Sequence, residues 1–243
     1  MNFVKNNLAN AFTLGNLFSG TIGVINLILG HYQVTAICII ISLVLDFFDG
    51  FIARALKSNS NLGAQLDSLA DMVSFGVLPG IAMYKILEPF GTNLFGINLP
   101  FELKYFGLMI TLFSCLRLAI FNLDEEQTYY FKGLNTPSNT ILIFGIYYLI
   151  KEDMQYGGNF NEMFSKNIQL GFYLFVAIIS SWLLISPIKM IAFKFRSMLL
   201  KDNYPKIVLL IGTLLILSLF GIIGIPLVIL FYIITSFIFQ KQL

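Results

Sequence analysis

Apolar residues in this chain gather into long uninterrupted runs and rarely alternate with polar ones. Eight such segments lie at approximately 11–29, 34–56, 67–87, 104–122, 138–150, 168–186, 206–220 and 222–240. Most are close to the ~20 residues that a helix needs to cross the ~30 Å hydrocarbon layer of a bilayer. Backbone polar groups in that layer must pair internally, so each run predicts a spanning helix, and the whole predicts an all-α polytopic membrane helix bundle. The fifth run is short and leaves room to start further upstream. The last two are separated by little more than Gly221 and Gly224, which fits either a helical hairpin or a single kinked element. The longer polar stretches are 88–103, 123–137 and 151–167. The expected organisation is therefore one membrane domain. Its core spans 1–186, a basic amphipathic segment follows at 187–205, and a hydrophobic hairpin closes it at 206–240.

Composition supports the bilayer reading. The chain is 57% hydrophobic and 12% charged with a mean hydropathy of +0.82, against about 45–50% and about 25% in soluble domains. A formal charge of +2 is too small to imply nucleic acid. The first apolar run contains Asn16 and Ser19 and has no small-residue cleavage site after it, so it reads as a retained helix. Cys38 and Cys115 fall inside apolar runs and read as buried structural thiols, and His31 falls in a predicted loop.

Orientation follows from the basic residues, because cytoplasmic loops collect them. With the N-terminus inside, Lys5, Arg54, Lys57, Arg117, Lys132, Lys189, Lys194, Arg196, Lys201, Lys206 and Lys241 fall on one side, and Lys85, Lys104, Lys151 and Lys166 on the other. This asymmetry predicts a cytoplasmic location for both termini. The alternation of basic and apolar residues from Pro187 to Lys206 suits either a surface helix on anionic lipid heads or an ordinary basic loop.

Acidic residues change the picture most. Asp46 and Asp49 end the second run, and Asp67 and Asp71 begin the third. Residues three or four apart share a helix face, so each pair projects together, and the short connection near 57–62 makes the two helices antiparallel neighbours. An aspartate inside a spanning helix costs about 2.5–3.5 kcal/mol on insertion scales. Four converging carboxylates therefore require neutralisation, either by shared protons along an ion pathway or by a hard divalent cation bound through oxygen. Gly50, Ala53, Gly63 and Ala64 flank the acids and leave room for close approach of backbone or ligand.

From Asp46 to Asp71 the string reads D-x-x-D-G-x-x-A-R-x8-G-x3-D-x3-D, and it resembles the signature of the CDP-alcohol phosphotransferase family. The resemblance implies a six-helix membrane core, which the first six or so segments would supply, and the apolar runs add two C-terminal helices. It also implies cleavage of a CDP-linked substrate with release of CMP, and two divalent ions, Mg2+ or Mn2+. On that resemblance, Asp46, Asp49 and Asp67 bind metal, and Asp71 completes the metal site or acts as the catalytic base. Gly50, Ala53, Arg54 and Gly63 then line the nucleotide with Asp46, helped by Thr13 and Asn16 on the first helix.

The stretches Asn10 to Gly20, Ser68 to Pro79, Arg117 to Asn122 and Phe131 to Pro137 are similar to the members of the family that use L-serine as acceptor. The implied reaction moves the phosphatidyl group of CDP-diacylglycerol to serine, at a site facing the cytoplasm, in what would be a bacterial inner membrane. Ser74, Arg117, Asn122 and Lys132 become acceptor-binding candidates, and a homodimer is the implied assembly. Two alternatives stay open: the same chemistry with glycerol 3-phosphate or an inositol phosphate as acceptor, and a cation- or proton-coupled transporter using the four acids as an ion site.

Overall fold

A computed structural model describes residues 2–56, 60–124, 130–158, 163–192, 203–240 and 242, with side chains described from residue 8 onward. The first hydrophobic run becomes helix α1 (Asn2–Leu29) and the second α2 (Tyr32–Ala55). Gly30 ends α1 with φ +86, a left-handed conformation that glycine adopts without a Cβ clash. The chain reverses there, and the two helices pack along their lengths.

The third run is one continuous helical element made of three parts: α3 (Asn61–Asp71), a π-helical segment (Met72–Val77) and α4 (Leu78–Leu87). The hydrophobic pattern predicts a regular helix across this region, and Pro79 supplies the physical reason for the difference. A proline in a helix removes an N–H and crowds the carbonyl four residues earlier, here that of Phe75. Thr140 donates its hydroxyl to that carbonyl at 3.1 Å, and Thr111 donates to the Gly76 carbonyl at 3.1 Å. Neighbouring helices thus satisfy the backbone that the widened turn frees.

A short hairpin of β1 (Asn93–Leu94) and β2 (Ile97–Asn98) follows, then a 3-10 turn at Leu103–Leu108 leading into α5 (Met109–Leu123). Gly107 packs backbone to backbone on α4, where an added Cβ would lie 2.4 Å from the Tyr84 nitrogen. Helix α6 (Thr136–Gln155) is capped by the Asn135 carboxamide, which accepts from the Ser138 N–H at 2.8 Å. It reaches further than 138–150 because its polar last turn, Lys151 to Gln155, stays helical. Helix α7 (Lys166–Ile185) completes the set around the main core, where Leu78, Met83, Leu87, Ile110, Ile143 and Tyr147 are almost wholly buried.

On the side of the bundle where α2 ends and α3 begins, strand β3 (Tyr130–Lys132) pairs antiparallel with β4 (Lys189–Ile191). This ribbon lies in stretches that the pattern reads as loop and as a basic amphipathic segment. It covers a second, smaller core of Leu134, Met190, Ile191, Leu209 and Tyr232. Most of the amphipathic segment, residues 193–202, lies outside the described residues, as do the side chains of Lys5, Lys57 and Lys241.

The chain ends in α8 (Tyr204–Phe220) and α9 (Gly224–Ile238), joined by a single turn at Gly221–Ile223 in which Gly221 has φ +53. A Cβ on Gly212 would meet the Phe231 ring at 2.2 Å, so α9 folds back along α8. Among the described residues, six elements are long and apolar enough to cross a membrane, α8 and α9 counting together as one. Large apolar side chains such as Phe18, Ile40, Phe47, Leu112, Leu214 and Phe237 point outward. That pattern reverses a soluble protein's and fits a surface solvated by lipid tails.

Candidate active site

Three elements converge on the acidic residues. The last turns of α2 carry Asp46 and Asp49, α3 carries Asp67 and Asp71, and α1 packs against both helices. Carboxylate oxygens of Asp46, Asp49 and Asp67 all lie within 4.8 Å of one another. Asp71 lies one turn further along α3, close enough for the charges of Asp46 and Asp67 to act on it. The convergence expected from the spacing is therefore present in the fold.

Local sequence explains why the α3 pair points inward. Ser60 caps α3, its hydroxyl accepting from the Gly63 N–H at 3.0 Å. A Cβ on Gly63 would lie 3.2 Å from the Ser60 oxygen and 3.4 Å from the Asn10 side-chain oxygen. Glycine at 63 thus lets the cap form and lets α1 approach the start of α3. Further along, a Cβ on Gly20 would fall 2.8 Å from the Ser74 Cα, so α1 rests directly on the π-helical segment that continues from Asp71.

From this contact α1 supplies two partners. Thr13 donates its hydroxyl to Asp49 Oδ2 at 2.7 Å, and Asn16 Nδ2 donates to Asp71 Oδ1 at 3.2 Å. The Asn16 carbonyl in turn accepts from Ser42 and Ser74 at 3.3 and 3.1 Å, which fixes the asparagine between α2 and the π segment. Its own Oδ1 is buried without a partner.

No aspartate of the four takes part in an ion pair among the described residues. The cation facing them is Arg117 of α5, about nine-tenths buried, whose charge acts on Asp71, Asp46 and Asp67. Its Nη1 donates to Thr136 Oγ1 at 3.3 Å, and its guanidinium stacks 5.0 Å from the Phe121 ring centroid. Arg54 of α2 acts on Asp49, and two guanidiniums against four carboxylates still leave negative charge to be balanced. All-oxygen donors suit a hard divalent ion, and trans oxygens around magnesium are ~4.2 Å apart, close to the spread seen here. The Asp46, Asp49 and Asp67 set therefore has the donors and spacing that such an ion requires.

Beside the carboxylates opens a cleft lined by Ala9, Asn10, Thr13, Asp49, Gly50, Ala53, Ser60, Gly63, Ala64 and Asp67. It gathers Thr13, Gly50, Ala53 and Gly63, four residues expected around a nucleotide, along one wall system of small side chains. Arg54 does not line it; its guanidinium lies over Gly50, with Nη1 3.3 Å from where a Cβ would be. Asn10 and Ser60 are cleft residues that sequence reasoning passed over. Asn10 opens the α1 stretch that carries the resemblance, and Ser60 could have been read as a helix cap.

The acceptor candidates separate. Arg117 is turned toward the aspartates, whereas Ser74 spends its hydroxyl on the Asn16 carbonyl. Asn122 and Ser68 bond each other at 2.8 and 3.1 Å on an exposed face, tying α5 to α3. Lys132 lies on β3 and pairs with Asp124 at 2.8 Å.

A family model described as CDP-alcohol phosphatidyltransferase matches residues 6–238. A CDP-diacylglycerol–serine O-phosphatidyltransferase of Bacillus subtilis is 32% identical over 125 residues, covering 51% of this chain and 66% of that protein. The protein of the same name from Methanocaldococcus jannaschii is 35% identical over 112 residues, covering 46% and 49%. That from Saccharomyces cerevisiae is 29% identical over 163 residues, covering 60% and 55%. The matched region thus spans about half to two thirds of each relative.

Proposed function

The chain belongs to the CDP-alcohol phosphatidyltransferase family, and on that premise we propose that it moves the phosphatidyl group of CDP-diacylglycerol to the hydroxyl of L-serine. The products are phosphatidylserine and CMP. The observation that carries this reading is the convergence of Asp46, Asp49 and Asp67 at a cleft of small residues, with Asp71 and Arg117 beside them. The names of the relatives support serine as the acceptor.

In this reading the cytidine and pyrophosphate of the donor occupy the cleft between α1, α2 and α3, and the acyl chains remain among the lipids. Gly50, Ala53 and Gly63 keep its wall free of side chains, so that the donor reaches Asp49 and Asp67. Asp46, Asp49 and Asp67 would hold magnesium or manganese, which would supply countercharge to the pyrophosphate. Thr13 orients the Asp49 carboxylate, and Asn16 orients that of Asp71.

Serine approaches from the α5 and α6 side, where Arg117 attracts its carboxylate through charge-assisted hydrogen bonds. The serine oxygen forms a bond to the phosphatidyl phosphorus as the bond from that phosphorus to the CMP oxygen breaks. Asp71 takes the hydroxyl proton, acting as a general base, and CMP leaves with the electron pair. In this reading the site faces the cytoplasm from a bacterial inner membrane, an orientation that the excess of basic residues on the side where α2 ends supports.

The test is CMP release by purified protein in detergent with CDP-diacylglycerol and magnesium or manganese, offering serine, glycerol 3-phosphate or inositol phosphate in turn. Release that needs serine and metal, and that Asp71→Asn abolishes, is the expected result. Release with another acceptor overturns the serine assignment but keeps the chemistry. No release with any acceptor from folded protein favours ion transport at the aspartates.

A further inference from the structure

The same side of α5 and α6 holds polar side chains that neither the family motif nor the reaction above uses. Asn139 is fully buried, and neither its Nδ2 nor its Oδ1 has a hydrogen-bond partner; Ser114 is fully buried with an unpaired hydroxyl. Native proteins leave few buried polar atoms unpaired, because an unmade hydrogen bond in a low-dielectric interior is costly. Two such residues, on helices that both pack against the π-helical segment, call for a ligand.

Their placement follows from helix geometry. Ser114 precedes Arg117 by three residues on α5, and Asn139 follows Thr136 by three on α6. Each pair shares a helix face. Helix α5 runs toward the carboxylate side of the bundle and α6 runs away from it, and the Arg117 to Thr136 hydrogen bond joins them. Ser114 and Asn139 therefore both lie about 4.5 Å deeper than that bond, at three residues of ~1.5 Å rise each. The π-helical segment that continues from Asp71 packs against both helices at this level. Ser114 Cβ is 3.2 Å from where a Gly76 Cβ would be, and Thr140, next to Asn139, donates to the Phe75 carbonyl.

Arg117 is itself underused. Of its five N–H donors one is bonded, to Thr136. The layer thus offers unpaired N–H groups from Arg117 and Asn139, one unpaired carboxamide oxygen, and one hydroxyl that both donates and accepts. We propose that Arg117, Asn139 and Ser114 form the subsite for the amino-acid end of the acceptor, with Asn139 as the residue that recognises its ammonium group. The carboxylate takes the free N–H groups of Arg117 and Asn139 Nδ2, and the ammonium donates to Asn139 Oδ1 and the Ser114 oxygen. The acceptor hydroxyl then points back up the π segment toward Asp71. This rests on the serine-transfer reading, and it adds a specificity determinant outside the family motif.

The experiment compares L-serine with 3-hydroxypropionate, which keeps the carboxylate and hydroxyl but lacks the ammonium, in wild-type protein and in Asn139→Leu. Steady-state CMP release gives the KM for serine, and 3-hydroxypropionate is titrated as a competitor. Wild type is expected to prefer serine by tenfold or more, and Asn139→Leu to bring the two ligands within about threefold, while the KM for CDP-diacylglycerol stays within about twofold. Asn139→Leu that lowers Tm yet keeps the preference for serine overturns the subsite and makes Asn139 a packing residue or the partner of a buried water. Should Asn139→Leu not fold, Asn139→Ser and Ser114→Ala are read by the same ratio, with the same two outcomes. Wild-type protein that releases no CMP with serine overturns the serine-transfer reading first, whereas an active wild type with an unchanged ratio in the variants overturns this inference alone.

Discussion

Between α1, α2 and α3, four aspartates meet a cleft of glycine and alanine. Across α5 and α6, a single arginine lies on an aromatic ring above a layer of uncharged polar side chains. The first region concentrates charge of one sign and keeps its walls small. The second is buried, carries one cation and leaves hydrogen-bonding groups unspent. On the proposed reaction the difference matches two tasks. A pyrophosphate needs countercharge and access, so its side is acidic enough to hold a cation and bare enough to admit phosphate oxygens. A small zwitterion needs matched donors and acceptors in a dry setting, where each hydrogen bond is worth more than in water.

Substitution at the carboxylates should have the largest effect and tests the first half of the comparison. Asp71→Asn keeps the shape and an acceptor for Asn16 Nδ2, yet removes the proposed base, and kcat is expected to fall by about 10²–10⁴. Asp67→Asn leaves the proposed base in place and removes a proposed cation ligand. Its activity is expected to require at least about tenfold more magnesium or manganese. A metal titration of CMP release separates the two. Equal metal dependence in both variants would merge base and ligand into one role and break the division drawn here.

The second half is sharpened by Arg117→Lys, which keeps the charge and removes the planar fork. The KM for serine is expected to rise about tenfold, with a smaller change in the KM for CDP-diacylglycerol. A larger effect on the donor would move Arg117 to the pyrophosphate side, and the comparison would become one between two walls of a single phosphate site. A smaller effect follows at Thr13, which touches the acids only through Asp49. Thr13→Val loses one hydrogen bond to a charged group, worth about 1.5–3 kcal/mol. It is expected to raise the KM for CDP-diacylglycerol about tenfold and to leave that for serine unchanged.

The two regions were unequally legible in the sequence. Asp46, Asp49, Asp67 and Asp71 could be placed together because their geometry is local: helix periodicity sets each pair, and a short connection sets the two pairs against each other. Gly63 and Gly50 were legible for the same reason. The α5 and α6 side depends on contacts between residues far apart in the chain, such as Arg117 with Thr136 and Thr140 with Phe75. Asn139 near the start of a helix reads as an ordinary polar residue, and only its tertiary burial shows that its amide is unpaired. Pro79 carried a signal for the π segment, but periodicity alone runs straight through it. Pairing of β3 with β4 joins residues 130–132 to 189–191, and three-residue strands leave no periodic trace.

The smallest expected effects are at Asn122 and Lys132, which the motif resemblance put beside the acceptor and the fold keeps at the rim. Asn122 is bonded to Ser68 on an exposed face, and Lys132, with its side chain 36% exposed, is paired with Asp124. Exposed pairs of this kind contribute about 0–1 kcal/mol. Asn122→Ala and Lys132→Ala are therefore each expected to leave kcat/KM for serine within about threefold of wild type, and to shift Tm by a few degrees at most. Lys132 is the more informative of the two. Its strand pairs with β4 and its neighbour Phe131 packs on Phe121, the ring under Arg117. A tenfold rise in the serine KM for Lys132→Ala, at unchanged Tm, would extend the cationic side from α5 into the ribbon. The buried layer at Ser114 and Asn139 would then be the floor of a larger site whose roof is β3.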